Sequence, residues 1–165
     1  MQNHFDHQDL TRRGFVGFEL LRRLPRRCAW IPSGSGIYVV TLEVPEVGFV
    51  AHSVGGRFKG RDPTVSVPLL ESRRLDGVPT QYIGRATSLR ERVDLLARYG
   101  RGEPVAHQGG RYLWQLAQHA LLRVAWMVHP DPVAAEAELL DEFEALFGRL
   151  PFANLVRGRR VLVAA

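Results

Sequence analysis

The chain has 165 residues, 45% hydrophobic and 24% charged, which is enough apolar mass for one globular domain with its own core. Its apolar runs fall short of the about 20 residues a bilayer-spanning helix takes, no basic-then-apolar leader opens it, and the one cysteine, Cys28, lacks a partner for a disulfide or zinc site. No membrane association and a reducing, cytoplasmic setting are therefore expected. Twenty-two basic residues against 17 acidic ones give a net +5, and all but Lys59 are arginine, a balance that suits a polyanionic partner and equally plain solubility.

Residues 10–24 carry Phe15, Val16, Phe18, Leu20, Leu21 and Leu24 at mixed helical spacing with arginines between them, which predicts an amphipathic helix ending before Pro25, inside an N-terminal helical extension over 1–34. A turn at 33–36 opens the first core strand, β-branched through 37–42. Residues 44–79, rich in proline and glycine, read as an insertion of loops with one short strand near 47–51. The strand pattern resumes at 81–84, and Ser88-Leu89-Arg90-Glu91 then matches a capping box, predicting a helix over 89–99 stopped at Gly100. After a loop at 107–110, a helix over 112–119 and a third strand over 121–128 are expected. The clearest helix covers 134–147 and closes at Gly148, followed by a turn at 151–154 and a tail or strand over 155–165. The fold class is α/β (α+β): a single domain whose core, 35–43 and 80–154, builds a small three-stranded central sheet flanked by helices.

Helical geometry says where the polar residues point. On 89–99, Leu89, Val93, Leu96 and Tyr99 form one stripe and Arg92 lies within it. A guanidinium on an apolar face needs an anion or several acceptors to replace its hydration, and either a buried ion pair or a bound phosphate would serve. On 134–147, Leu139, Leu140, Phe143, Leu146 and Phe147 share one side, with Glu136 near its centre. Such a carboxylate must be protonated, paired or bound to metal, unless it merely caps the helix start. Glu138, Asp141, Glu142 and Glu144 point away, Glu142 nearest the edge.

Two tripeptides frame these helices: Gly36-Ile37-Tyr38 and, with the tyrosines 44 residues apart, Tyr82-Ile83-Gly84. Each sits on a predicted strand, Arg92 stands eight residues past Gly84, Glu136 follows on the later helix, and Asn154 comes after Pro151. In that order the residues resemble the GIY-YIG nuclease family over 35–154. The resemblance implies an endonuclease that hydrolyses nucleic-acid phosphodiesters, DNA favoured over RNA, with one Mg²⁺ or Mn²⁺. It further implies that Glu136 holds the metal by a single carboxylate, that Arg92 contacts the scissile phosphate, and that Tyr38 deprotonates or orients the attacking water. Tyr82 would add a hydrogen bond in the cleft, and Asn154 would orient groups around the metal or phosphate. Arg85, where many relatives carry lysine, offers a second phosphate contact or simply surface charge.

Glu142 is the alternative metal ligand by its separation from Pro151; Glu136 is preferred because apolar residues follow it at both three and four positions and it faces the core. Two features depart from the family: the insertion between the tyrosines, and Leu96, where relatives often place tyrosine or histidine. Tyr99 or His107 could substitute for it. A catalytically inactive nucleic-acid-binding or protein-interaction module that keeps the fold is the rival expectation, and the N-terminal segment with the insertion offers a surface for a homodimer. Arg57, Lys59 and Arg61 in the glycine-rich run 55–61, and His107 with Arg111 around Gly109-Gly110, are further candidate nucleic-acid contacts, with a solvated loop and a plain turn as their alternatives. Trp114 and Trp126 read as core, and the six histidines show no zinc spacing.

Overall fold

The computed structural model describes residues 4–157. Asp6 starts the first helix by accepting from the Asp9 N–H at 2.8 Å, and α1 (His7–Arg12) lasts six residues before Gly14, at φ +100°, turns the chain. The expected helix over 10–24 is not formed. Its middle is a strand, β1 (Val16–Leu20), followed by a single 3₁₀ turn at Leu21–Arg23. Gly17 at φ +102° and Phe18 at φ +55° explain the failure, because both conformations break a helix and here produce a bulge in the strand.

The next strand, β2 (Gly36–Thr41), is buried along its whole length. β3 (Thr80–Ala86) pairs with one of its edges and β4 (Arg123–Val128) with the other, all antiparallel. β1 then adds to the far side of β4, so the sheet has four strands in the order β1-β4-β2-β3, not three. Alternation along β2 divides the core: Tyr38 and Val40 enter one cluster, Ile37 and Val39 the other.

Helices cover both faces. On the tyrosine face lies α3 (Leu89–Gly100), whose N-cap Ser88 accepts from the Glu91 N–H as the capping-box pattern predicts. On the opposite face lie α1 and α4 (Pro132–Phe147), which Asp131 caps by accepting from the Ala134 N–H and Gly148 closes at φ +76°. Leu146, expected on the buried stripe of α4, is exposed. The segment expected to be a helix over 112–119 is instead a 3₁₀ stretch, Gln108–Gln115, kinked at Gly110.

The insertion is more ordered than a set of loops. Pro68 opens a helix, α2 (Val67–Arg73), and Phe49 bridges to Leu116. Buried Gln115 fastens the insertion to the core: its Oε1 accepts from the Val65 N–H and its Nε2 donates to the Val50 and Val65 carbonyls. Arg73 reaches the Phe152 and Asn154 carbonyls, joining α2 to the chain after α4. Trp114 and Trp126 are core residues as expected. Of the C-terminal segment, 155–157 are not in a strand and the remainder lies outside the described residues. Among the described residues no helix is long and apolar enough to cross a membrane.

Candidate active site

The two motif glycines are forced by close packing. A Cβ on Gly36 would stand 2.2 Å from the Met127 carbonyl oxygen, and one on Gly84 would stand 2.6 Å from Tyr38 Cζ and 2.8 Å from Tyr82 Cε1. Gly84 lies opposite Tyr38 in the β2–β3 register, so its missing side chain makes the pocket in which the two phenols meet, rings 5.9 Å apart.

Tyr38 is fully buried, and its Oη is 3.0 Å from Nε2 of His107, which is equally inaccessible. His107 is therefore not a surface contact for nucleic acid; it lies in the wall behind the phenols. Burial, seconded by the charge of Arg92, pushes its pKa down to about 3, so the ring is neutral, and its Nδ1 has no hydrogen-bond partner. Burial also pushes the Tyr38 phenol well above its ordinary pKa, with Tyr82 adding to the rise and Arg92 opposing it. Tyr82 is raised by burial too, but Tyr38 and Arg92 both favour its ionised form, and it retains 8% exposure. Opposite the Tyr82 hydroxyl stands Gly109, whose Cβ would come within 3.1 Å.

Arg92 projects from α3 toward the phenols, and its Nη1 donates to the Ala106 carbonyl at 3.3 Å. Burial works against its charge, yet the two phenols more than offset this and hold the guanidinium firmly protonated. Among the described residues no carboxylate lies within ion-pair distance of it, so the buried ion pair weighed for Arg92 is not the one made. Beside it opens a cleft of ≈ 350 Å³ between the start of α3 and the start of α4, lined by Arg85, Ser88, Glu91, Arg92, Pro132 and Val133.

Glu136, one turn into α4, reaches the end of β3, where Oε2 accepts from Arg85 Nη1 at 2.5 Å. Burial raises the Glu136 pKa, and the nearby cations Arg85 and Arg92 offset this only in part. Glu142 is placed elsewhere: it is exposed and accepts two hydrogen bonds from Arg13, at 2.6 and 2.7 Å. Among the described residues no group of three or more His, Cys, Asp or Glu could hold a metal ion. A single carboxylate still fits a hard cation that keeps most of its waters, and Glu136 Oε1, which makes no hydrogen bond among the described residues, is the atom that would take it.

Asn154 is brought to the same strand but its amide is spent there. Oδ1 accepts from the Ile83 N–H at 2.9 Å and Nδ2 donates to the Ile83 carbonyl at 2.8 Å, sealing the outer edge of β3. Tyr99 and Leu96 are buried in the core. The basic loop is not at the cleft: Gly56 N–H bonds the Tyr99 carbonyl, which is about 10 Å along the α3 axis from Arg92. There Arg57 pairs with Asp62, Lys59 lies over the Phe58 ring, and Arg61 is exposed. Arg111 donates to the Gln108 carbonyl and packs over Tyr112.

Sequence reasoning missed the depth of His107 and the Arg85–Glu136 pair. The first had a faint signal in the glycines at 109 and 110, which allow the chain to dip toward the sheet. For the second, the alternation of β3 puts Arg85 on the α4 face with Ile83. The chain matches no family model, no curated protein and no solved structure.

Proposed function

We propose that the protein is a metal-dependent endonuclease of the GIY-YIG type, cutting nucleic-acid phosphodiesters, DNA before RNA, in the cleft between α3 and α4. One observation carries this reading: Arg92, a cation with no carboxylate partner among the described residues, lines the cleft together with Arg85, and Arg85 is held there by Glu136, a carboxylate whose pKa burial raises. A perturbed acid behind a cleft lined by two guanidinium groups, one of them without a carboxylate partner among the described residues, suits phosphoryl chemistry better than it suits a structural core.

In this reading a non-bridging phosphate oxygen binds Arg92, whose planar fork suits it, and Arg85 turns from Glu136 to a second oxygen. Mg²⁺ or Mn²⁺ on Glu136 Oε1 would supply charge neutralisation at the phosphate and an acidified water. Tyr82, the more accessible phenol, would hydrogen-bond and orient the attacking water. Tyr38, closed off from solvent, acts through Tyr82, and neutral His107 orients Tyr38. Asn154 serves the site by fixing the backbone of β3 at Ile83, between Tyr82 and the glycine that makes room for the phenols.

A second reading has its own observation. The Arg85–Glu136 bond and the complete burial of Tyr38 would also suit a nucleic-acid-binding or interaction module in which the catalytic groups are locked. Incubation of the protein with labelled single- and double-stranded DNA, with and without Mg²⁺ or Mn²⁺, separates the two. Metal-dependent cleavage lost in Arg92→Ala supports the nuclease; binding without cleavage under every metal condition supports the module.

A further inference from the structure

Trp30 is 60% exposed, whereas the other two tryptophans, Trp114 and Trp126, are each 4% exposed. Its loop is not slack. Arg90 grips the backbone on both sides of it, Nη2 donating to the Ala29 carbonyl at 3.0 Å and Nε to the Ile31 carbonyl at 2.9 Å. The Arg90 and Leu89 N–H groups bond the Pro32 and Gly34 carbonyls, and Cys28 and Ile31 anchor the loop in the core. An exposed indole on a backbone held this firmly presents a flat face at reduced further entropic cost.

The chain before Trp30 runs along the outer flank of α3. The Arg27 N–H bonds Asp94, Arg26 pairs with Glu103, and Arg101 donates to the Leu24 carbonyl. From Arg90 to Arg101 this flank is about 16 Å long. Its acids are occupied, Asp94 by Arg98 and Glu103 by Arg98 and Arg26. The exposed side chains of Arg22, Arg23 and Arg27 meet no carboxylate among the described residues. One end of the strip is thus an aromatic platform, and the rest carries, among its paired residues, the cations Arg22, Arg23 and Arg27, which have no carboxylate partner among the described residues.

We propose that this strip is a track for single-stranded nucleic acid, with one base stacked on Trp30 and the adjoining backbone phosphates on Arg27, Arg23 and Arg22. Alternating a π-face with guanidinium groups is the chemistry by which unpaired strands are held without regard to sequence. The cleft opens on the neighbouring flank of the same first turns of α3, at Ser88, Glu91 and Arg92. A strand with its phosphate at Arg92 would cross the helix start to reach Trp30; this one point rests on the nuclease reading, and the track itself does not.

The test is made in EDTA, so that no metal-dependent cleavage enters. Oligo(dT) and oligo(rU) are titrated into the protein while tryptophan emission and anisotropy are followed. The expected result is quenching of Trp30 by both oligonucleotides, lost in Trp30→Ala, with binding weakened on the order of 10-fold or more in that variant and largely kept in Trp30→Phe. Replacing Arg22, Arg23 or Arg27 by Gln should each lower the slope of log affinity on log salt by about 0.7. Because Trp30 is exposed, the variants should keep the wild-type circular dichroism and melting curve. Saturable binding that leaves the emission unchanged, wild-type affinity in Trp30→Ala, or no binding of either oligonucleotide overturns the track. So does an emission change that follows protein concentration alone with a dimer in light scattering, which would assign Trp30 to contact between copies. If oligonucleotides quench Trp30 but metal never brings cleavage, the track stands and the nuclease reading falls.

Discussion

Helix α4 carries several glutamates that bond an arginine, Glu144 with Arg157 among them, and two of them, Glu136 and Glu142, are treated in opposite ways. Near its start, Glu136 is held by Arg85, yet burial keeps its pKa raised. Further along, Glu142 accepts two hydrogen bonds from Arg13, which outweigh its modest burial and lower its pKa. Arg13 also bonds Asp9, so this pair belongs to a staple between the N-terminal segment and α4. A salt bridge alone therefore does not distinguish a structural carboxylate from a reactive one. The difference lies in whether the partner fully compensates the cost of burial, and at Glu136 it does not.

On the proposed nuclease reading, the largest effect expected from this contrast is on catalysis. Glu136→Gln and Arg92→Ala should each lower metal-dependent cleavage on the order of 10³-fold, the scale on which single groups that stabilise transition-state charge act. Glu142→Gln should stay within about threefold of wild type. Single-turnover cleavage with Mg²⁺ or Mn²⁺ decides it, and a Glu142→Gln loss matching that of Glu136→Gln would reverse the assignment of the two ends.

How much of this could be read beforehand follows the range of the forces involved. β2, β3, α3 and α4 were legible because alternation, caps and stop residues are local, and the inward aspect of Arg92 and Glu136 follows from helical spacing. β1 was not, since its apolar residues happen to keep helical spacing and only the positive φ at Gly17 and Phe18, where the strand bulges against β4, shows the strand. A Cβ on Gly17 would stand 2.5 Å from the Trp126 ring, a reason for glycine that no local pattern contains. The closure of Glu136 by Arg85 and the approach of His107 to Tyr38 likewise join residues 51 and 69 apart in the chain. The resemblance of the two tripeptides pointed to the neighbourhood, but not to which phenol is buried.

His107 allows a sharper test of the cleft side. Its pKa in the folded protein, about 3, lies below the ordinary 6.5, so between these values the unfolded chain binds a proton that the folded one refuses. Above pH 6.5 the residue costs nothing; as pH falls toward 3 stability is progressively lost, roughly 2–4 kcal/mol if the ring stays closed in. Urea unfolding at pH 7 and pH 4 should show a smaller loss in His107→Gln than in wild type. An equal loss in both would mean that the ring is hydrated and the pocket open.

Next in size is the packing that brings the phenols together. Gly84→Ala must displace Tyr38 or Tyr82, both in a close-packed interior, at a cost of about 1–3 kcal/mol. Gly36→Ala, which meets the Met127 carbonyl of a paired strand as well as the Leu89 side chain, should cost more. Chemical denaturation gives both values, and a smaller cost at Gly36 than at Gly84 would show that the β2–β4 pairing yields more readily than the phenol pocket.

The smallest effect is the one most specific to the two glutamates, because its sign differs between them. At pH 7 both carboxylates are ionised in the unfolded chain. Folding favours the ionised form of Glu142, whose pKa falls, and disfavours that of Glu136, whose pKa rises. The stability Glu142 contributes is present above its unfolded pKa and disappears as pH falls through its folded one, whereas Glu136 is most easily accommodated once protonated. Glutamine imitates the protonated acid, so at neutral pH Glu142→Gln should destabilise and Glu136→Gln should be neutral or stabilising. Solvent at the Arg13–Glu142 pair keeps the first effect to about 1 kcal/mol or less. At the cleft, Arg85 is a third exposed and can be hydrated when its partner is neutralised, so the second effect is of similar size and opposite sign. Urea unfolding of both variants at pH 7 checks this. A Glu136→Gln variant less stable than wild type would mean that Arg85 compensates its partner fully, and the contrast between the two glutamates would no longer support the proposed reactivity of the cleft.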